Sequence, residues 1–215
     1  MEELKSLLRD GKGLRVAIDI DETLAMVHAL MLANFNKAHG TNFTVKDHTD
    51  WDFRSIGSSY SEMMPFYTQV WREQWREIPF AGDIKMLGEL AGHYTVNLLT
   101  TRSATERGMT GGTVDAMNEW IRLHGIDLVL PAPIICNPKQ DKAIDFDYHI
   151  YVDDSPVLAK TVERMDGKSL FLIDHPYNRC ISDDGKKIIR VENAQKATAA
   201  LISIARRAKR QVRTG

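Results

Sequence analysis

The sequence predicts an α/β fold: a parallel, Rossmann-like sheet flanked by helices, with a small helical insertion after the first strand. Three observations predict it. Short apolar runs rich in Val, Ile, Leu and aromatics recur with little polar alternation, the pattern of parallel strands covered on both faces. Segments of helical period separate them, and strand–helix–strand alternation implies right-handed crossovers. One long interval, from Leu24 to Phe80, breaks this rhythm and holds no convincing strand.

The strand candidates, in order, are Arg15–Ile20, Tyr94–Leu99, Pro133–Cys136, His149–Val152 and Ser169–Ile173. The helix candidates between and after them are Gly82–Gly92, Thr113–His124, Pro156–Asp166 and Asn193–Arg207. In the first of these helices Ile84, Leu87, Leu90 and Ala91 fall at helical spacing; in the second, Val114, Met117, Ile121 and Leu123 do much the same. Gly92 and Gly125 stand where helices commonly stop. Within the insertion, Leu24–His39 reads as a helix, a polar loop follows, and "MMPFYTQVWREQWREI" reads as an aromatic helix. Ile78–Gly82 then returns the chain to the sheet. The expected division is a core of residues 1–23 and 81–215 around an inserted unit of residues 24–80.

The bulk composition excludes more than it identifies. The chain's 215 residues suffice for one core and a modest insertion. A net charge of -1 gives no whole-chain field toward nucleic acid or a membrane surface. No apolar run approaches about 18 residues, so no membrane span is expected. The N-terminal "MEELKSLLRDGKG" carries acids and lacks a signal-type apolar core. Cys136 and Cys180 have no metal-type spacing, which fits reduced thiols in a cytoplasmic protein. The basic tail Ala205–Arg213 reads as a solvated helix end rather than a nucleic-acid arm. A homodimer is compatible with the sequence, which does not set the oligomeric state.

In open α/β sheets ligands bind beyond the carboxyl ends of the strands, so the residues that follow each strand matter most. The first strand ends in Asp19-Ile20-Asp21-Glu22, the second in Thr100-Thr101-Arg102 and the fourth in Asp153-Asp154-Ser155-Pro156. Lys142 precedes the fourth strand. Each piece has an ordinary explanation: Asp-x-Asp as a strand end, Ser155 and Pro156 as a helix N-cap and first turn, Thr100 as a β residue, Lys142 as a solvated charge. Their shared location at one sheet edge points to a site. The fitting chemistry is phosphoryl transfer. Mg²⁺ takes oxygen ligands, and Asp19 with one acid of the Asp153-Asp154 pair can supply them. Asp19 is the candidate nucleophile. Asp21 projects to the same side as a candidate acid and base. Thr100 and Lys142 are placed to stabilise phosphoryl charge.

"DIDET", "LLTTR", Lys142 and "YVDDSP" resemble the four motifs of haloacid dehalogenase-type phosphatases, in that family's order and spacing. "LFLIDHPYNR" and "VENAQKATAAL" further resemble the C-terminal part of the cytosolic and mitochondrial 5'(3')-deoxyribonucleotidases and their bacterial and phage relatives. The resemblance covers about Leu14 to Leu201 and makes the 24–80 insertion a cap. It implies Asp19 as nucleophile and Mg²⁺ ligand, and Asp21 as acid and base that also binds Mg²⁺ through its backbone carbonyl. It implies Thr100, with Thr101 beside it, as phosphate contacts, Lys142 as the third-motif lysine with Lys139 close enough to compete, and Asp154 as direct metal ligand assisted by Asp153. Glu22 departs from the pattern, which expects Gly there. "DxDET" is typical of phosphatases acting on phosphoserine in the RNA polymerase tail, but those lack a comparable cap.

The expected substrate is a small nucleotide, a (deoxy)nucleoside monophosphate. Tyr67, Trp71 and Trp75 recur every four residues on one helix face; they read either as the cap's own core or as rings that stack on a nucleobase. Trp51 and Phe53 precede them. Arg102 is a further candidate substrate contact, and the glycine-rich Arg107–Gly112 reads as a connector. None of the seven histidines forms a metal-type cluster, and none is given a role. The competing readings are the same chemistry on a nucleic-acid 3'-phosphate, a phosphoprotein or a small metabolite, a receiver module, and a two-metal nuclease. A receiver would carry its acidic pair on the first strand, and a nuclease would not call for Thr100 and Lys142.

Overall fold

The computed structural model describes residues 13–102 and 112–214. The glycine-rich stretch expected as a connector lies, up to residue 111, outside the described residues, as does the N-terminal segment before residue 13.

Six parallel strands form one sheet: β1 (Arg15–Ile18), β2 (Thr95–Thr101), β3 (Ile134–Cys136), β4 (Ile150–Asp153), β5 (Ser169–Ile173) and β6 (Ile188–Val191). Their spatial order is β3-β2-β1-β4-β5-β6. Chain order therefore reverses between β1 and β4, and the crevice at such a reversal is where open α/β sheets bind ligands. The register aligns Ile18 with Val152, and the Asp19 amide donates to the Val152 carbonyl at 2.9 Å. The first acid of β1 thus lies beside the acidic pair that ends β4.

Seven helices accompany the sheet among the described residues: α1 (His28–His39), α2 (Tyr60–Glu73), α3 (Ile84–Ala91), α4 (Thr113–Leu123), the single-turn α5 (Lys142–Asp145), α6 (Pro156–Arg164) and α7 (Ala194–Thr214). Local chemistry starts several of them. Ser59, Asp83, Asp141 and Ser155 each accept a backbone N–H with the side chain at the helix start, and Pro156 opens α6.

The expected elements are present, with shifted ends. The predicted Leu24–His39 helix begins four residues later, because Leu24 and Ala25 donate back to the Ile20 carbonyl in a tight turn. The predicted aromatic helix starts at Tyr60, ends at Glu73 and passes into a 3-10 turn at Trp75–Glu77. Lys142, expected in a loop, is the first residue of α5. The sequence reading missed β6. This short strand pairs only with β5 and has one fully buried residue, Ile188, so it carries no strong apolar signature.

The chain leaves the sheet and returns to it side by side. Met26 N–H donates to the Pro79 carbonyl at 3.1 Å and Ala81 N–H to the Leu24 carbonyl at 2.8 Å. Between these two strands of backbone, α1 and α2 pack through Phe35 against Phe66 and through an Asn34–Gln74 hydrogen bond. The inserted helices are continuous with the main core rather than separated from it. Trp71 of α2 meets Trp120 of α4 edge to face at 6.1 Å, and Trp120 donates its indole N–H to the Ile78 carbonyl.

Candidate active site

Three carboxylates meet at the β1/β4 edge. Asp19, Asp153 and Asp154 are buried, and each offers an oxygen within 4.8 Å of the others. Lys142 projects from α5 into this group, with Nζ 2.8 Å from Asp19 Oδ1 and 2.6 Å from Asp153 Oδ2. The contact with Asp153 is a directed hydrogen bond; the contact with Asp19 is an ion pair only. Asp153 Oδ1 also accepts the Ser155 N–H, which fixes its rotamer at the start of α6. Lys139, the competing lysine, lies on the cavity wall and makes no ion pair in the cluster.

The electrostatics of this cluster are unbalanced. Burial raises Asp19 well above the ordinary carboxylate range; Lys142 opposes that, while Asp153 and Asp21 add to it. Asp154 is pushed well up too, by burial and then by Asp153 and Asp19, against a lowering hydrogen bond from Tyr177. Burial alone would lower the Lys142 ammonium, but Asp153 and Asp19 outweigh it and hold it above its usual value. One lysine does not balance three buried acids, so burial and mutual repulsion favour protonated Asp19 and Asp154 until a cation offsets their charge. An all-oxygen donor set of that kind suits a hard divalent cation such as Mg²⁺, so the residues present fit the metal.

Asp21 sits apart from the three and is held by donors from two directions. Tyr67 Oη and Trp71 Nε1, both on α2, donate to Oδ1 at 2.9 Å each. From the core side, Arg102 pairs with both carboxylate oxygens and Thr100 Oγ1 lies 3.4 Å from Oδ2. Arg102 is itself buried, also donates to Thr100 Oγ1 and the Thr101 carbonyl, and lies over the Tyr67 and Trp71 rings. Burial opposes its charge, yet Asp21 and Tyr67 keep its proton affinity raised.

These contacts revise the expected roles of the aromatic stripe. Trp71 is 0% exposed, with its N–H committed to Asp21 and its ring on Trp120, so no face is left for a nucleobase. Trp75 lies outside the cavity lining and carries the Arg76 guanidinium 4.1 Å over its ring. Tyr67 reaches the cavity, with its hydroxyl on Asp21. Thr101, rather than Thr100, is on the cavity wall; Thr100 is fully buried with its hydroxyl between Asp21 and Arg102.

The carboxylates floor a cavity of about 630 Å³, within the range of about 300–1,000 Å³ usual for small-molecule sites. Its far wall is built from Met31, Trp51, Phe53, Tyr60, Met63, His28 and His48. His48 stacks on Phe53 at 4.0 Å with ring planes 6° apart, and neither of its ring nitrogens has a hydrogen-bond partner. Sequence spacing could not reveal the histidines, since His28, His48 and His175 come from three distant segments.

Glu22, the residue that departs from the family pattern, adopts the left-handed conformation at φ 53°, where glycine is favoured. Its carboxylate turns to the start of α1 and accepts the His28 N–H at 2.7 Å. It supplies the cap that Val27 at the helix start does not. Burial raises Glu22 to about 7, against the lowering contacts of His175 and the α1 amides.

Comparison with known proteins places this geometry. Curated protein sequences give no match. Solved structures share the fold at low identity. A haloacid dehalogenase-like hydrolase from Streptococcus pneumoniae is 13% identical with a TM-score of 0.57, over 90% of this chain and 98% of that one. A phosphonoacetaldehyde hydrolase-like protein from Oleispira antarctica is 11% identical with a TM-score of 0.56, over 93% and 95%. CbbY from Rhodobacter sphaeroides, solved with phosphate, is 15% identical with a TM-score of 0.52, over 89% and 99%. A family model described as 5' nucleotidase, deoxy (pyrimidine), cytosolic type C protein matches residues 13–210. With this match covering almost the whole described sequence, the chain belongs to that 5' nucleotidase family, on a fold that it shares with haloacid dehalogenase-like hydrolases.

Proposed function

We propose that this protein is a Mg²⁺-dependent phosphatase that hydrolyses a (deoxy)nucleoside monophosphate through an aspartyl-phosphate on Asp19. The observation that carries the reading is the Asp19, Asp153, Asp154 and Lys142 cluster at the floor of a cavity walled by rings. Asp19, Asp154 and the Asp21 backbone carbonyl would hold the metal, with Asp153 assisting. When bound, Mg²⁺ offsets the charge of the acids and of the phosphoryl group.

The chain's own residues divide the work. The Asp19 carboxylate attacks phosphorus, the bond to the leaving oxygen breaks, and that oxygen takes a proton from Asp21. Asp21 then accepts a proton from the water that cleaves the aspartyl-phosphate. The Lys142 ammonium would bind the phosphoryl oxygens, with the hydroxyl of Thr100, or of Thr101 beside it, as the further donor. Asp21 serves first as acid and then as base, and here its carboxylate is occupied by Arg102, Tyr67 and Trp71. Withdrawal of the α2 donors, by movement of the inserted helices as a cap, would release it.

The leaving nucleoside occupies the ringed wall, where Trp51 and Tyr60 offer stacking and Phe53 backs them. No described helix is long and apolar enough to cross a membrane, and a cytoplasmic small-molecule substrate fits this reading. The test is phosphate release from a panel of deoxy- and ribonucleoside monophosphates, 3'-phosphorylated oligonucleotides and phosphopeptides, in Mg²⁺ and in chelator. Nucleotide turnover that needs Mg²⁺ and vanishes in Asp19→Asn is expected. Turnover confined to phosphopeptides would overturn the nucleotide assignment and leave the phosphatase chemistry in place.

A further inference from the structure

The segment His175–Asn178 after β5 does not line the cavity, yet it touches both arms of the site. It forms one 3-10 turn, Pro176–Asn178, closed by reciprocal capping. The His175 ring accepts the Asn178 N–H, and Asn178 Oδ1 accepts the His175 N–H at 3.2 Å. With one ring nitrogen accepting, the other carries the proton, and Nε2 donates to the Glu22 carbonyl at 2.8 Å. That holds the left-handed residue directly after Asp21. Asn178 Nδ2 donates to the Asp154 carbonyl at 2.8 Å and to the Ile173 carbonyl at 2.7 Å. Arg190 of β6 donates to Asn178 Oδ1 at 2.7 Å and to the Asn178 carbonyl at 3.1 Å, locking the turn from behind. The Tyr177 hydroxyl donates to Asp154 Oδ2, while its ring stacks on His175 at 5.1 Å with planes 5° apart.

We propose that Tyr177 is a positioning residue for the metal site. Its hydroxyl occupies one oxygen of Asp154 and leaves the other for the cation, and the turn keeps that carboxylate in register with the backbone after the nucleophile. A carboxylate ligand with one oxygen already hydrogen-bonded is restrained in rotation and presents a single oxygen, which is how outer partners tune metal sites. Tyr177 and Asn178 are almost completely buried and lie off the cavity, so they act through Asp154 and not on substrate. The proposal rests on the Mg²⁺ reading of the carboxylate cluster but not on a nucleotide as substrate.

Tyr177→Phe removes the hydroxyl and keeps the ring packing. Mg²⁺ titrated calorimetrically into metal-free full-length protein should bind about 10- to 100-fold more weakly in the variant, with the metal-free circular dichroism spectrum unchanged. Unchanged Mg²⁺ affinity would overturn the proposal, whatever happens to thermal stability, because a merely structural tyrosine would alter stability alone. Should that variant not fold, His175→Leu, which releases the Glu22 carbonyl, takes its place; weaker Mg²⁺ binding supports the brace and equal binding overturns it. A wild-type protein that binds no Mg²⁺ would overturn both the metal reading and this one. A failed nucleotide panel alongside the expected Mg²⁺ result would touch only the substrate.

Discussion

Replacing His48 by Phe tests the ringed wall most directly. His48 is 1% exposed, stacked on Phe53, and flanked by the rings of His28 and Tyr177. Burial and the neighbouring His28 lower its pKa to about 3, more than nearby Asp50 raises it. Unfolded, a histidine titrates near 6.5. Between those two values the unfolded chain binds a proton that the folded chain refuses. Stability is therefore complete above about pH 6.5 and is lost as pH falls toward 3. Each tenfold change in proton affinity is worth about 1.4 kcal/mol, so roughly 3 kcal/mol is lost by about pH 4.5 through this one ring. Phe keeps the stack and removes the titration and both unpartnered nitrogens. At neutral pH the variant should be more stable by about 1–3 kcal/mol, the cost of leaving buried polar atoms unpaired. Urea denaturation in chelator at pH 7.5, 6 and 4.5 measures this, and the gap between variant and wild type should widen by about 3 kcal/mol at the lowest pH. A gap constant across the range would refute the claim that His48 is a buried neutral ring.

Three other outcomes are expected. Lys142→Met leaves Asp19 and Asp153 without their cation, so metal-free stability by denaturant titration should fall by about 3–5 kcal/mol. Saturating Mg²⁺ should restore part of it, about 2.7 kcal/mol at 100 times Kd. Glu22→Gly relieves the left-handed backbone, worth about 1–2 kcal/mol, and loses the helix cap, worth about 1 kcal/mol. The melting temperature should stay near wild type with turnover retained, and loss of turnover would show that the Glu22 carboxyl has a chemical part. Trp71→Phe removes a donor to Asp21 and thins the contact with Trp120; calorimetry should show a loss of about 2 kcal/mol, below the about 3–5 kcal/mol of a full truncation to Ala.

The site's chemistry was legible in the sequence because it is written in short-range pattern. A continuous apolar run followed by acids marks a buried strand ending at a sheet edge, and β1 does end beside Asp19 and Asp21. Ser155 and Pro156 start α6 as local capping rules require. Such features depend only on residues a few positions apart. The sequence also carried "DHPYN" as a likeness, without a physical reason for it.

What the sequence by itself determined is the chain order of five of the six strands and of the helices between them, the parallel sheet, and which acids stand at its carboxyl edge, since backbone geometry and burial period encode these locally. Only the tertiary structure decided which side chains meet. A helical period would put Tyr67, Trp71 and Trp75 on one face, but α2 ends at Glu73 and docks so that the first two bind Asp21, while Trp75 lies in the following 3-10 turn. The same holds for Glu22 under the start of α1, for His28, His48 and His175 gathering from distant segments, and for Tyr177 on Asp154. Those contacts join residues up to 153 positions apart in the chain, and a period of two or 3.6 residues holds no information at that range.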